Sequence, residues 1–322
     1  EGLRFRNKMA YDLIKGIDQM MGLRTQFVHL YVKDLTDSAS GVFEDYGLYT
    51  QVEQLNKTAL KAHGVDPNGQ LYKINSFEFY RYEDVIRLTT DPAYDQTAFE
   101  KHLEIKGNSD HSKLIKMLDV LNDESSSMDD ELFVTYFDKE NIAYWMAFQL
   151  LTGNTDTQNR NVYLYSPQNS SKWYLWDWDN DGMLRRRERE IINFSDSESW
   201  ERGVSNYWGN VLFRRCLQTQ SYRDMLDSAM KELYAYMNEE RIQSMMEHYR
   251  SVTEKYVWQM PDRMNVPITH DEYEEVLKSI WPEIDENYNY YWESYRKPMP
   301  FYIGEPQVVN GSLLLTWDPS YN

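Results

Sequence analysis

Gly153-Asn-Thr-Asp-Thr-Gln-Asn-Arg-Asn161, then Val162-Tyr-Leu-Tyr165, then Trp173-Tyr-Leu-Trp-Asp-Trp-Asp-Asn-Asp-Gly182 form the stretch on which the fold turns. A helical pattern from Lys139 to Thr152 leads into it. Asp138 suits the N-cap of that helix, because its carboxylate can accept from free backbone N–H groups, and Gly153 suits the stop. The polar loop 153–161 is followed by two short aromatic and aliphatic runs on either side of Ser166-Pro-Gln-Asn-Ser-Ser171, which reads as a hairpin and its turn. An antiparallel hairpin brings the chain back to where it began. The order of these pieces leads to the expectation that Asp156 and Asp177 face one cleft, with Asn161 beside them.

Upstream, Phe5, Met9, Leu13, Ile17 and Met20 share one helical face, so a helix is predicted over 3–21, ended by Gly22. Residues 26–33 alternate, with Val28, Leu30 and Val32 on one side and Phe27, His29 and Tyr31 on the other, which is a strand in which His29 is a half-buried member. Residues 41–53 read as a second strand, kinked at Gly47. Leu71-Tyr-Lys-Ile74 is a third, after the turn Asp66-Pro-Asn-Gly69. From about residue 95 the pattern is helical, with helices at 112–121, from 206 to about 258, and at 270–280. In the tail, Asn310-Gly311 lies between two β-prone runs and predicts a hairpin.

The chain has 322 residues, 41% of them hydrophobic and 15% aromatic, which is enough apolar area for a packed core. Its net charge of -18 argues against a nucleic-acid surface, which needs clustered Lys and Arg. The one basic cluster, Arg185-Arg-Arg187 with Arg189, is broken by Glu188 and Glu190 and reads as a solvated loop that, beside a phosphate-handling site, suits an acidic peptide. No apolar run approaches the length of a membrane span. The single cysteine, Cys216, sits in an apolar helical pattern and reads as a small core residue.

Asp156 and Asn161 have the spacing D-x-x-x-x-N of a protein-kinase catalytic loop, in which the aspartate takes the proton of the acceptor hydroxyl and the asparagine holds a metal ion on the nucleotide phosphates. Asp177 has the place of the second metal-binding aspartate, after the strand pair. With Gly153-Asn-Thr-Asp156, Asn161-Val-Tyr-Leu-Tyr and Trp176-Asp-Trp-Asp179, the chain resembles the spore-coat CotH kinase family. Arg6-Asn-Lys-Met-Ala resembles the helix of that family's small lobe. Gly41-Val-Phe with Gln51-Val-Glu53, and Gly69-Gln-Leu-Tyr-Lys73, resemble the strands that follow. The resemblance runs from about residue 3 to about 300.

It implies an α+β, atypical protein-kinase-like two-lobed fold over 1–303, with a partial small lobe at 1–75 and a mostly helical large lobe at 76–303. It implies transfer of the ATP γ-phosphoryl, with Mg2+ or Mn2+, to Ser or Thr of a protein substrate. Asp156 is then catalytic, Asn161 and Asp177 hold metal, and Asp179 is a further ligand or orienting group. Arg6, Asn7, Glu53 and Lys73 are nucleotide-binding candidates, against readings as a solvated helix start, a strand-end charge and a snorkelling lysine. Two features depart from the family pattern: Asn154-Thr155 replaces the usual His-Arg, and no phosphate-pairing lysine strand or glycine-rich loop precedes residue 3. A truncated or inactive chain is the expectation from the second. Residues 304–322 are expected to begin a fibronectin-III or Ig-like β-sandwich, which suggests a multidomain protein at the cell or spore surface or outside the cell.

One alternative comes from another class. Asp177-Trp-Asp179-Asn-Asp181-Gly182 with Glu188 also fits the EF-hand pattern D-x-[DN]-x-[DN]-G-x5-E. It would make the acidic loop a Ca2+ site in a structural or adhesion module, or in an inactive pseudokinase. A helix should then enter at Asp177, where the sequence predicts a strand.

Overall fold

The structure, a computed structural model, describes residues 2–36, 41–194, 202–299, 301 and 303–317. Its first helix, α1 (Arg6–Ile14), is shorter than its apolar stripe predicts. The Tyr236 hydroxyl donates to the Leu13 carbonyl at 2.9 Å. A Cβ on Gly16 would lie 2.2 Å from that same oxygen, so the helix ends where a distant ring takes its last carbonyl. Strands β1 (Thr25–Lys33) and β2 (Phe43–Val52) form an antiparallel ribbon whose register shifts at Leu30/Tyr31. The kink expected at Gly47 is there: its φ is +84°, and a Cβ would sit 2.2 Å from the Asp262 carboxylate, which accepts from Leu48 N at 2.9 Å.

Helix α2 (Lys57–Ala62), capped by Asn56, leads to β3 (Gln70–Ile74). Helix α3 (Gln96–Glu100), β4 (Leu103–Ile105) and α4 (Ser112–Leu121) follow, then a π-helical segment Met128–Tyr136. Helix α5 (Lys139–Thr152) is buried from Asn141 to Thr152, with the predicted Asp138 cap on Asn141 N and Gly153 closing it at φ +62°. Strands β5 (Val162–Ser166) and β6 (Tyr174–Asp177) make the predicted hairpin. The chain ends in helices α6 (Arg186–Ile191), α7 (Val211–Gln218), α8 (Gln220–Tyr236), α9 (Glu239–Val257) and α10 (His270–Ser294), then strands β7 (Gln307–Val309) and β8 (Ser312–Leu314).

The fold is mixed helix and sheet, as the α+β reading holds. Its main sheet has the order β4-β3-β5-β6. Across the lobe boundary expected at residue 75, β3 pairs antiparallel with β5 along its length, Lys73 opposite Tyr163. The strand assigned to a separate small lobe is therefore joined to the site hairpin, and one continuous core runs from Leu3 to Tyr291. Helices α8 and α10 pack on α5 and fix its far end beneath the loop 153–161. The tail hairpin has positive φ at Asn310 (+53°) and Gly311 (+77°), the geometry of a two-residue primed turn, and both its strands are exposed. Residues 318–322 of the expected β-sandwich lie outside the described residues. Among the described residues, no helix is long and apolar enough to cross a membrane.

A buried ion pair locks α1 to α6. The Arg6 guanidinium donates to Glu188 at 2.6 Å and to the Leu184 carbonyl at 2.9 Å, and both side chains of the pair are fully buried. Burial opposes the Glu188 charge, but Arg6 outweighs it and holds the carboxyl at about 2. Removing one partner strands the other charge, so Glu188→Gln is expected to cost about 3–5 kcal/mol in urea unfolding at neutral pH. The lowered pKa means that this stability is present above the ordinary glutamate range and is lost as pH falls towards 2, so the variant should lack that part of the acid transition. A cost near zero would show the pair to be dispensable.

Candidate functional site

The loop 153–161 is pinned along its backbone. Asn206 Nδ2 donates to the Thr155 carbonyl and Asn210 Nδ2 to that of Gln158, each at 2.9 Å. Phe77 N donates to the Asn159 carbonyl at 2.9 Å, and the Thr157 hydroxyl reaches both the Asn154 carbonyl and Tyr207. Fixed this way, Asn161 adopts φ +58° and donates through Nδ2 to Asp156 Oδ2 at 3.0 Å. Left-handed backbone on a non-glycine residue is uncommon, and Asn is one of the few types that tolerate it. Asp156 also pairs with Arg160 at the surface.

A buried chain of side-chain amides joins this loop to the end of β6. Asn154 Nδ2 donates to Gln149 Oε1 at 3.0 Å, and Gln149 Nε2 to Asp177 Oδ1 at 2.7 Å. Asn180 Nδ2 donates to the other oxygen of Asp177. Asp177 is buried, and desolvation pushes its carboxyl up to about 7 against the pull of those two amides, with the charge of Asp179 adding to the rise. Asp179 is half-buried at φ +61°. Desolvation raises its pKa too; the charges of Asp181 and Asp156 push the same way, and Lys73 pulls back. Asp156, Asp179, Asp181 and Lys73 thus share one electrostatic neighbourhood. Lys73 also lies 5.5 Å from the centre of the Trp178 ring, which stands edge-on to Tyr163.

The other expected nucleotide ligands make contacts within the protein. Arg6 is sealed in its ion pair with Glu188, away from solvent, because the core closes over it. Asn7 accepts from Asn180 N at 3.3 Å, and Tyr11, one helical turn on, accepts at its hydroxyl from Asp179 N at 3.0 Å. Helix α1 is a brace for the acidic loop. Glu53 binds Arg24 and His63; burial opposes its charge, but those hydrogen bonds hold its carboxyl at about 2. It ties the β1–β2 ribbon to α2. Sequence reasoning missed Gln149, Asn180 and Tyr11; the readable signal was Gln149, an amide inside an otherwise apolar helix, since a buried amide needs partners.

The donor set suits a hard divalent cation. The charges of Asp181 and Asp156 act on Asp179, and the buried Asn180 Oδ1 has no hydrogen-bond partner. Oxygen donors of this kind suit hard divalent cations, Mg2+, Mn2+ and Ca2+ alike. They do not assemble an EF-hand: Glu188 is taken by Arg6, and a strand, not a helix, enters at Asp177. Among the described residues, the acidic group whose ligand atoms lie within 4.8 Å of one another is a different one, Glu254, His270 and Glu274, and Arg250 bridges its two glutamates. Residues 1–291 match the family model described as CotH kinase protein. None of the curated proteins is similar enough to match the chain.

Proposed function

The chain belongs to the CotH kinase protein family, and from that membership we propose that it transfers the γ-phosphoryl of ATP, with Mg2+ or Mn2+, to Ser or Thr of a protein substrate. The observation that carries this reading is the Asn161–Asp156 hydrogen bond, in a loop tied through Gln149 to the acidic end of β6. Asp156 is open enough to meet an acceptor hydroxyl and take its proton. Asn161 orients that carboxylate. Asp179, with Asn161 and Asp181, would hold the divalent ion, which neutralises charge on the phosphates when bound. Asp177, with both oxygens satisfied by amides, positions this loop. Lys73 supplies a cation for phosphate from the neighbouring strand. A place at the cell or spore surface or outside the cell, within a larger protein, belongs to the same proposal.

The test is direct. Incubated with ATP and Mn2+ or Mg2+, the protein should place phosphate on Ser or Thr of an acceptor protein, read by phosphopeptide mass spectrometry, and chelation should stop it. Phosphate incorporation that is unchanged by chelation, or absent with both ions over a panel of Ser-rich proteins, would overturn the assignment.

A further inference from the structure

Beside the loop 153–161 lies a cavity of about 590 Å³, lined in part by Asn154, Arg185, Arg186, Arg189, Arg202 and Glu283. We propose that this cavity is the acceptor groove and that it selects peptides carrying Asp or Glu next to the residue that receives phosphate. Naming the occupant as acceptor rests on the phosphotransfer reading above; the charge preference does not.

The cavity reaches Thr155, the residue before Asp156, so a chain bound there runs up to the carboxylate proposed to take the hydroxyl proton. Four guanidinium groups line it; Arg186 and Arg202 share Glu286, at 2.5 and 3.1 Å, and Arg185 reaches Glu188 at 3.4 Å. Of the two carboxylates in its lining, Glu190 already pairs with Arg187 at 3.1 Å, while Glu283, although burial pushes its carboxyl up to about 6, still carries most of its charge at neutral pH. Four arginines against Glu190, Glu283 and Glu286 leave a small local excess of positive charge in a chain of net charge -18. Guanidinium forks match carboxylates in geometry as well as charge.

Two buried acceptors in the wall have no partner, Asn154 Oδ1 and Glu283 Oε2, on residues only 2% and 5% exposed. Buried acceptors left open cost free energy, and the N–H groups of a peptide backbone are the donors that would satisfy them. The groove thus asks for carboxylates and amide N–H together, which an acidic peptide supplies. ATP fits less well, because Asp156, Asn161, Asp179 and Lys73 all lie outside the lining.

The experiment measures binding by fluorescence anisotropy, without nucleotide, of one Ser-containing peptide flanked by Glu, by Gln or by Lys. The Glu peptide should bind about tenfold more tightly than the Gln peptide, with the gap closing as salt rises, and the Lys peptide should bind weakest. Arg186 and Arg202 are part-exposed, at 30% and 28%. Arg186→Gln with Arg202→Gln should erase most of the preference, and Lys at both positions should restore part of it. Equal affinity for the Glu and Gln peptides, displacement of the Glu peptide by ATP and Mn2+ in competition, or a preference that survives the double Gln variant would overturn the inference. An inactive protein that still prefers the Glu peptide fails only the transfer reading; an active one with equal kcat/KM for both peptides fails only this inference.

Discussion

Asp156→Asn is expected to lower phosphoryl transfer by about 10²–10⁴-fold, the range for loss of a positioned proton acceptor, while ATP and metal still bind. Asparagine keeps the shape of the side chain and an oxygen for the Asn161 amide, but it cannot take the hydroxyl proton. The fold should tolerate the change, since the Asp156 side chain is 43% exposed and its partner Arg160 is more so. A surface ion pair of this kind is worth about 0–1 kcal/mol, so its loss cannot explain a rate effect of that size. Single-turnover transfer, measured beside calorimetric ATP binding, separates the two effects. Transfer at the parent rate would remove Asp156 from the mechanism, and a parallel loss of nucleotide binding would make it a ligand.

The features legible in the sequence were those set by local chemistry. Asp138 and Gly153 bracket α5 as their side chains dictate, the β5–β6 hairpin follows its turn, and Asn310-Gly311 makes the tail turn. What was not legible depends on residues far away in the chain. Helix α1 stops at the hydroxyl of Tyr236, and β3 joins β5 across about ninety residues that carry no pairing signal of their own. Helix α10 was expected over 270–280; it runs on through Pro282 to Ser294, where Ile284 and Tyr291 are buried in the core. In the site, the order of motifs named Asp156, Asn161, Asp177 and Asp179. It could not say which carboxylate is open, because that depends on Gln149 and Asn180, and it offered Arg6 and Glu188 to ligands when they bind each other.

Asp179 and Asp177 should separate in their effects on metal. Both oxygens of Asp177 already accept from amides in a buried setting, so a cation would have to displace good donors to reach them. Burial raises the Asp179 pKa, and the charges of Asp181 and Asp156 add to the rise; that like charge is what a divalent ion relieves. Calorimetric titration of ATP with Mn2+ into the parent protein and the two variants is the most direct test of this centre. The prediction is binding by the parent, none measurable for Asp179→Ala, and a smaller loss for Asp177→Asn. Parent-like binding by Asp179→Ala would contradict the account.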